Sequence, residues 1–162
     1  MTTKVVSTGV TSYSQGYPFV QPWTDSTHVS LDTGEWSYGR EWLVGTALNE
    51  IHDDCTIDSI KIEFTALQNV GLCNSRARAV FYDGGSTTYV DKETGVLTTS
   101  STLYSATNSG AGITPAQLRA GKVFSYVKNE DTFYSNIVNF SLPIITITYT
   151  DRGIPYMLQF SL

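Results

Sequence analysis

The residues able to do chemistry are few: two histidines, two cysteines and fifteen acids in 162 positions. His52, Asp53, Asp54 and Cys55 stand together, and Cys73 follows further along. A zinc centre needs three or four such ligands in tetrahedral arrangement. On paper His52, Cys55 and Cys73 supply three. The simpler reading is a polar turn ahead of a strand, and it is preferred, so no metal and no cofactor is expected. Asp25, Asp32 and Glu35 lie near Trp23 and Trp36, a mixture found around sugars. Glycoside hydrolysis places two carboxylates at a fixed separation. Acids in a polar loop are mostly solvated, so the chain is not expected to be an enzyme. Gly110-Ala111-Gly112 begins like a dinucleotide-binding loop, but Pro115 stands where the third glycine belongs. The metalloprotease, nucleophile-elbow and phosphate-loop patterns are absent.

Aromatic residues offer binding rather than catalysis. Tyr13, Tyr17, Phe19, Trp23, Trp36 and Tyr38 are dense in a short stretch, with Trp42 close behind. Exposed Trp and Tyr stack on sugar rings or anchor protein interfaces. The same rings can fill a core. Core or subunit interface is favoured over sugar stacking, and the first six are the candidate interface or ligand contacts.

The elements that must position these residues are strands. The chain carries 22 Thr and 17 Ser, and only 15% of its residues are charged, against roughly 25% in ordinary globular domains. Thr favours strands and Ser favours turns. Hydrophobic residues reach 41%, enough for a packed core. In 56–67, Ile60, Ile62, Phe64 and Ala66 alternate with Lys61, Glu63 and Thr65, the period of a half-buried antiparallel strand. Strands are also expected at 41–44, bracketed by Gly39 and Gly45, and at 76–82. Others are expected at 87–90, 96–104, 123–127, 137–149 and 154–162. Turns are expected at Asp83-Gly84-Gly85-Ser86 and at 91–95, with a loop at 105–112. Pro143 predicts a bulge or an edge position. Thr114 as N-cap and Pro115 at the first helical position predict one short helix near 115–120, stopped by a left-handed Gly121. The fold expected is all-β, an antiparallel two-sheet sandwich of jelly-roll type. Residues 1–19 read as an N-terminal arm or first irregular strand, and 20–162 as a single domain.

A hairpin of 57–67 with 76–82 would put Cys55 and Cys73 at opposite ends. Ten strand residues span roughly 33 Å, while a disulfide needs Cα atoms within about 7 Å. Two free thiols and a reducing compartment are therefore expected. The opening Met1-Thr2-Thr3-Lys4-Val5-Val6 has no signal-peptide core. A net charge of −5 offers no basic patch for nucleic acid, and no run of about 18 apolar residues suggests a membrane helix. Asn139-Phe140-Ser141 matches a glycosylation sequon but sits in an apolar strand, and is set aside.

The order of segments carries one resemblance. Trp23 opens the series, Trp36 to Leu43 follow, and then comes the alternating strand 56–64. Arg78-Ala79-Val80-Phe81-Tyr82-Asp83-Gly84, the Ile113-Thr114-Pro115-Ala116-Gln117-Leu118 turn and Val123-Phe124-Ser125-Tyr126-Val127 come next. Ile144-Ile145-Thr146-Ile147-Thr148-Tyr149 closes it. This succession over roughly residues 23–150 resembles β-sandwich proteins of tailed-phage virions, of the capsid decoration (cement) or head-fibre type. Pro143 and the segment after Tyr149 depart from that pattern. The resemblance implies a structural virion protein, made in the host cytoplasm, whose partners are the major capsid protein and itself, often as a homotrimer. The alternative is a carbohydrate-binding or receptor-binding module of a phage fibre, with a glycan as partner.

Overall fold

The alternation in 56–67 builds the centre of the molecule. The computed structural model describes residues 1–15, 28–31, 37–130 and 136–152, and the side chains of 1–10, 39, 41–130 and 136–152. In it β4 (Thr56–Gln68) buries Ile60, Ile62, Phe64 and Ala66 on one face. Phe64 lies at the heart of this face. Its ring is 4.7 Å from that of Phe140 and 5.7 Å from that of Tyr104. The inward phase slips by one residue at the start of the strand, because Ile57 is buried as well. There the pairing with β10 (Ile144–Asp151) shifts register between Thr148 and Tyr149. The extra residue is Asp58, a bulge, and its carboxylate accepts a hydrogen bond from Thr150 Oγ1 at 2.8 Å.

Around β4 the strands β1 (Thr2–Gln15), β2 (His28–Leu31), β3 (Ser37–Val44), β5 (Ser75–Tyr82) and β6 (Thr88–Glu93) complete the first part of the chain. β7 (Thr102–Ser109), β8 (Lys122–Asn129) and β9 (Asn136–Phe140) follow. All described pairings are antiparallel. One sheet runs β1–β10–β4–β7, with β9 continuing the edge of β10 along β4 and β2 flanking β9. The other runs β3–β8–β5–β6. From β2 to β9 successive strands thus alternate between the sheets, except for the β5–β6 hairpin, which is the jelly-roll order. β1 belongs to both sheets. Its first half pairs with β10, its register breaks between Val10 and Ser12, and its second half pairs with β3. At the far edge Asn108 Nδ2 donates to the carbonyl of Tyr89 at 2.9 Å and ties β7 to β6. Ile145, Ile147 and Phe64 from one sheet meet Phe81, Val123 and Val127 from the other in a single core.

The fold class expected from sequence is the fold observed, and several details differ. β4 and β5 do not form a hairpin, because a jelly roll sends them to opposite sheets. Cys55 and Cys73 are both buried and not disulfide-bonded, but the hairpin geometry expected for them does not exist. The Thr-rich strand expected at 96–104 starts later, and β7 occupies most of the stretch expected as a loop. β6 continues through Asp91–Glu93, where a turn was expected. Gly39 lies inside β3 rather than bounding it. Pro143 separates β9 from β10, as its missing N–H requires. Residues 154–162 lie outside the described residues.

The helix α1 (Pro115–Ala120) carries a full capping box. Thr114 Oγ1 accepts from the Gln117 N–H at 3.2 Å, and Gln117 Oε1 accepts from the Thr114 N–H at 2.8 Å. Gly121 is extended rather than left-handed, with φ −66°. Its hydrogen is needed for space, since a Cβ there would stand 2.5 Å from the Phe81 ring. Among the described residues no helix is long and apolar enough to cross a membrane.

Candidate functional site

Two surfaces stand out, one at an end of the sandwich and one on a sheet face. The end is built where β4 stops, β5 starts and β9 starts. Gln68 falls on the inward phase of β4, and it is buried with Ser75, Asn129 and Asn136. Buried polar groups must find partners, and Asn136 satisfies most of this set. Its Nδ2 donates to Ser75 Oγ at 2.8 Å and to Gln68 Oε1 at 3.3 Å. Its Oδ1 accepts from the N–H of Val70 at 3.1 Å and of Ile137 at 2.9 Å. The Ser75 N–H donates to Gln68 Oε1 at 3.3 Å.

Backbone bonds extend the network into the loops. Gln68 N donates to Thr98 O, Asn69 N to Ile137 O, Leu97 N to Ser75 O and Glu130 N to Asn74 O, all at 2.8–3.0 Å. The loop 69–74 is thereby fixed to β9 and to Glu130, and the loop 94–101 to the ends of β4 and β5 on either side of 69–74. On this rigid base stand Val70, Leu72, Val96, Leu103 and Ile137, all exposed, with Leu72 at 74% and Leu103 at 63%. They are five of the nine large hydrophobics exposed among the described residues. A hollow of about 220 Å³ lies beside Leu103, between Thr65–Leu67 of β4, Ser101 and Asn139–Ser141. The sequence carried a signal for this end. Val70 and Leu72 are apolar inside a Gly/Asn loop, and Gln68 sits on an apolar phase. The role of Asn136 had none.

The second surface is the outer face of the sheet β3–β8–β5–β6. Register places Glu41, Phe124, Val80 and Asp91 in one row across it, with Gly39, Tyr126, Arg78 and Glu93 in the next. Phe124 and Tyr126 stack at 6.4 Å and 18°. A Cβ on Gly39 would lie 2.6 Å from the Phe124 ring, so glycine is what lets that ring rest on β3. Arg78 binds Asp91 in bidentate fashion, Nε to Oδ1 at 2.8 Å and Nη2 to Oδ2. That carboxylate holds the Arg78 pKa above its ordinary value. Lys122 Nζ donates to Glu41 Oε1 at 2.9 Å, and the Tyr82 hydroxyl donates to Glu41 Oε2. Lys128 and Arg76 both bind Glu130 at 3.0 Å and lower its pKa. The turn after β5 is closed by Asp83, whose Oδ1 accepts from the N–H of Gly85 at 2.7 Å and of Thr87 at 3.1 Å. Those two donors pull the Asp83 pKa down. Between this turn and Phe124 lies an open depression of about 350 Å³, lined by Arg78, Val80, Tyr82, Gly85, Ser86, Thr88 and Phe124.

Of the contacts expected from sequence, Tyr17, Phe19, Trp23 and Trp36 lie outside the described residues, as do Asp25, Asp32 and Glu35. Tyr13 takes the register position opposite Trp42, and Tyr38 the one opposite Val127. Trp42 itself is buried in the core. His52 closes a turn by accepting from the Cys55 N–H at 3.1 Å, and Asp53 pairs with Arg119. Among the described residues no three His, Cys, Asp or Glu side chains are placed to hold a metal.

No family model and no curated protein matches the sequence. Solved structures show similarity of shape. One described as "CBM4 structure and function" has a TM-score of 0.47 and 15% identity, over 87% of this chain and 92% of that one. The coat protein of Tobacco streak virus has a TM-score of 0.39 and 14% identity, over 99% and 95%. VP2 of infectious bursal disease virus has a TM-score of 0.38 and 9% identity, over 94% of this chain and 37% of that one. Scores and identities of this size bear on no residue and no function of this chain.

Proposed function

We propose that this chain is a structural protein of a tailed-phage virion, a capsid decoration (cement) protein that binds the shell and stabilises it. The observation that carries the proposal is the end of the sandwich, where three exposed apolar side chains on loops (Val70, Leu72, Val96) and two at strand starts (Leu103, Ile137) surround a buried polar network. Exposed apolar groups gathered at one place mark a partner surface. Loops ordered in advance lose little entropy on docking. The order of sequence segments supports the same reading, since it resembles virion β-sandwiches. A homotrimer of such subunits would engage several capsid proteins at once, and multivalency would raise the total affinity well above that of one contact.

Sedimentation with undecorated capsids tests this. The wild-type protein is expected to pellet with the shells and to saturate. Burying one leucine contributes roughly 1.5–3 kcal/mol, so Leu72→Asp with Leu103→Asp is expected to weaken binding by about a hundredfold or more. Wild-type protein that stays in the supernatant, or a double variant that binds like wild type, would refute the proposal.

A further inference from the structure

The depression on the outer sheet face is separate from the apolar end and plays no part in the docking argued above. We infer that it is a binding site for a neutral saccharide. Its base is Val80, which is almost fully buried, and the half-buried ring of Phe124 forms one side. Tyr126 stacks behind Phe124 and fixes it. A flat apolar surface of this kind suits the C–H face of a sugar ring. The opposite rim is hydroxylic and exposed, with Ser86 on the turn and Thr88 at the start of β6. The turn is held by the Asp83 carboxylate, so the Ser86 backbone is placed before any ligand arrives. Arg78 completes the lining. Asp91 occupies its Nε and Nη2, which fixes the guanidinium plane and leaves Nη1 outside that pair to donate to a ring hydroxyl. A volume of about 350 Å³ accepts one or two sugar rings.

The charge on this face selects against anions. Arg76, Arg78, Lys122 and Lys128 are matched by Glu41, Asp91, Glu93 and Glu130. Most of these charges pair with one another within the face. Among the described residues no free basic cluster is left on this face for a phosphate, sulfate or sialic acid, and the chain as a whole carries −5. A protein partner is also a poorer fit. It would need on the order of 800 Å² of this chain's surface, whereas the feature here is one small hollow with a polar rim.

Native gel electrophoresis through neutral polysaccharides tests the site. The probes are hydroxyethylcellulose, xylan, galactomannan and glycogen, with heparin as the anionic comparison. Retardation in at least one neutral gel and none in heparin is expected. Phe124→Ala removes the stacking surface and is expected to weaken binding about tenfold. Ser86→Trp fills the hollow from an exposed turn without touching the core, and is expected to abolish retardation. Leu72→Asp, at the other surface, is expected to leave it unchanged. Migration unaffected by all four neutral polymers overturns the inference. So does retardation that survives Ser86→Trp, or retardation by heparin alone. None of these results bears on capsid docking, which is read by sedimentation with Leu72 and Leu103 variants.

Discussion

Asn136→Leu is expected to lower the stability of the protein by about 3 kcal/mol and its melting temperature by about 6–12 °C. Leucine has the same branched heavy-atom skeleton as asparagine, with methyls in place of the amide oxygen and nitrogen, so the substitution opens no cavity. The loss comes from orphaned partners. The Val70 N–H, the Ile137 N–H and Ser75 Oγ each lose their bond to Asn136, the last in a fully buried setting, and Gln68 Oε1 is left with the Ser75 N–H alone. Leaving a buried donor or acceptor unpaired costs roughly 1–3 kcal/mol, and three neighbours in one network do not add in full. Asn139→Leu is the comparison. It is half-exposed, its Nδ2 bonds Asn69 Oδ1 at 3.2 Å and its Oδ1 has no partner among the described residues, so only one bond is lost and a change of about 1 kcal/mol or less is expected there. Thermal unfolding followed by circular dichroism separates the two. Equal melting temperatures for both variants would show that the network does not hold the end together. Asn136→Leu is also expected to weaken capsid binding, although its side chain is buried, because the loops carrying Val70 and Leu72 lose their anchor.

Gly110→Ala is expected to be at least as damaging, at about 3 kcal/mol or more. A Cβ at Gly110 would lie 2.3 Å from Ile57 Cγ2, 2.7 Å from the Ile57 carbonyl oxygen and 2.8 Å from its carbon. The side-chain methyl can rotate away, but the carbonyl cannot. It belongs to β4, which is fixed by β10 on one side and β7 on the other. The Gly110 N–H donates to Asp58 O at 3.0 Å, in the β4 bulge, and that bond must break or lengthen if the chains move apart. Gly110 does not have a positive φ, so the effect is one of space and Gly110→Ser should show it equally. Gly95, with nothing within 4 Å of its Cβ position, supplies the control. Gly95→Ala is expected to be neutral or slightly stabilising. A Gly110→Ala protein that melts with the wild type would mean that the two segments are not in contact.

The elements readable from the sequence were those with local causes. Ile60 to Ala66 announce β4 by period, Thr114 and Pro115 announce α1 by capping chemistry, and Pro143 announces a break by its missing donor. Non-local facts were not readable. The partner of β4 is β10, far along the chain, and nothing within 56–82 distinguishes that pairing from a hairpin with β5. The bulge at Asp58 reverses the inward phase of Ile57 and depends on Tyr149 across the sheet. The Thr run at 96–101 has strand propensity, yet its backbone is used to tie the loop end to Gln68 and Ser75, so β7 begins only at Thr102. Gly121 reads as a left-handed stop, but is glycine because the Phe81 ring leaves no room.

The surfaces follow the same division. Leu72 could be noticed as an apolar residue in a polar loop. The Asn136 network could not, because its members come from three strands. On the sheet face, Arg78, Phe124 and Glu41 meet only through the register of β5, β8 and β3. The aromatic cluster that drew attention in the sequence lies mostly outside the described residues, and Trp42 went to the core.

The most direct test of the docking account is hydrogen–deuterium exchange on the free protein and on the protein bound to capsids. Protection gained in 69–74 and 94–103, with 83–88 and 122–126 unchanged, is the predicted result. Protection confined to 83–88 and 122–126, with the loop end exchanging as in the free protein, would contradict it.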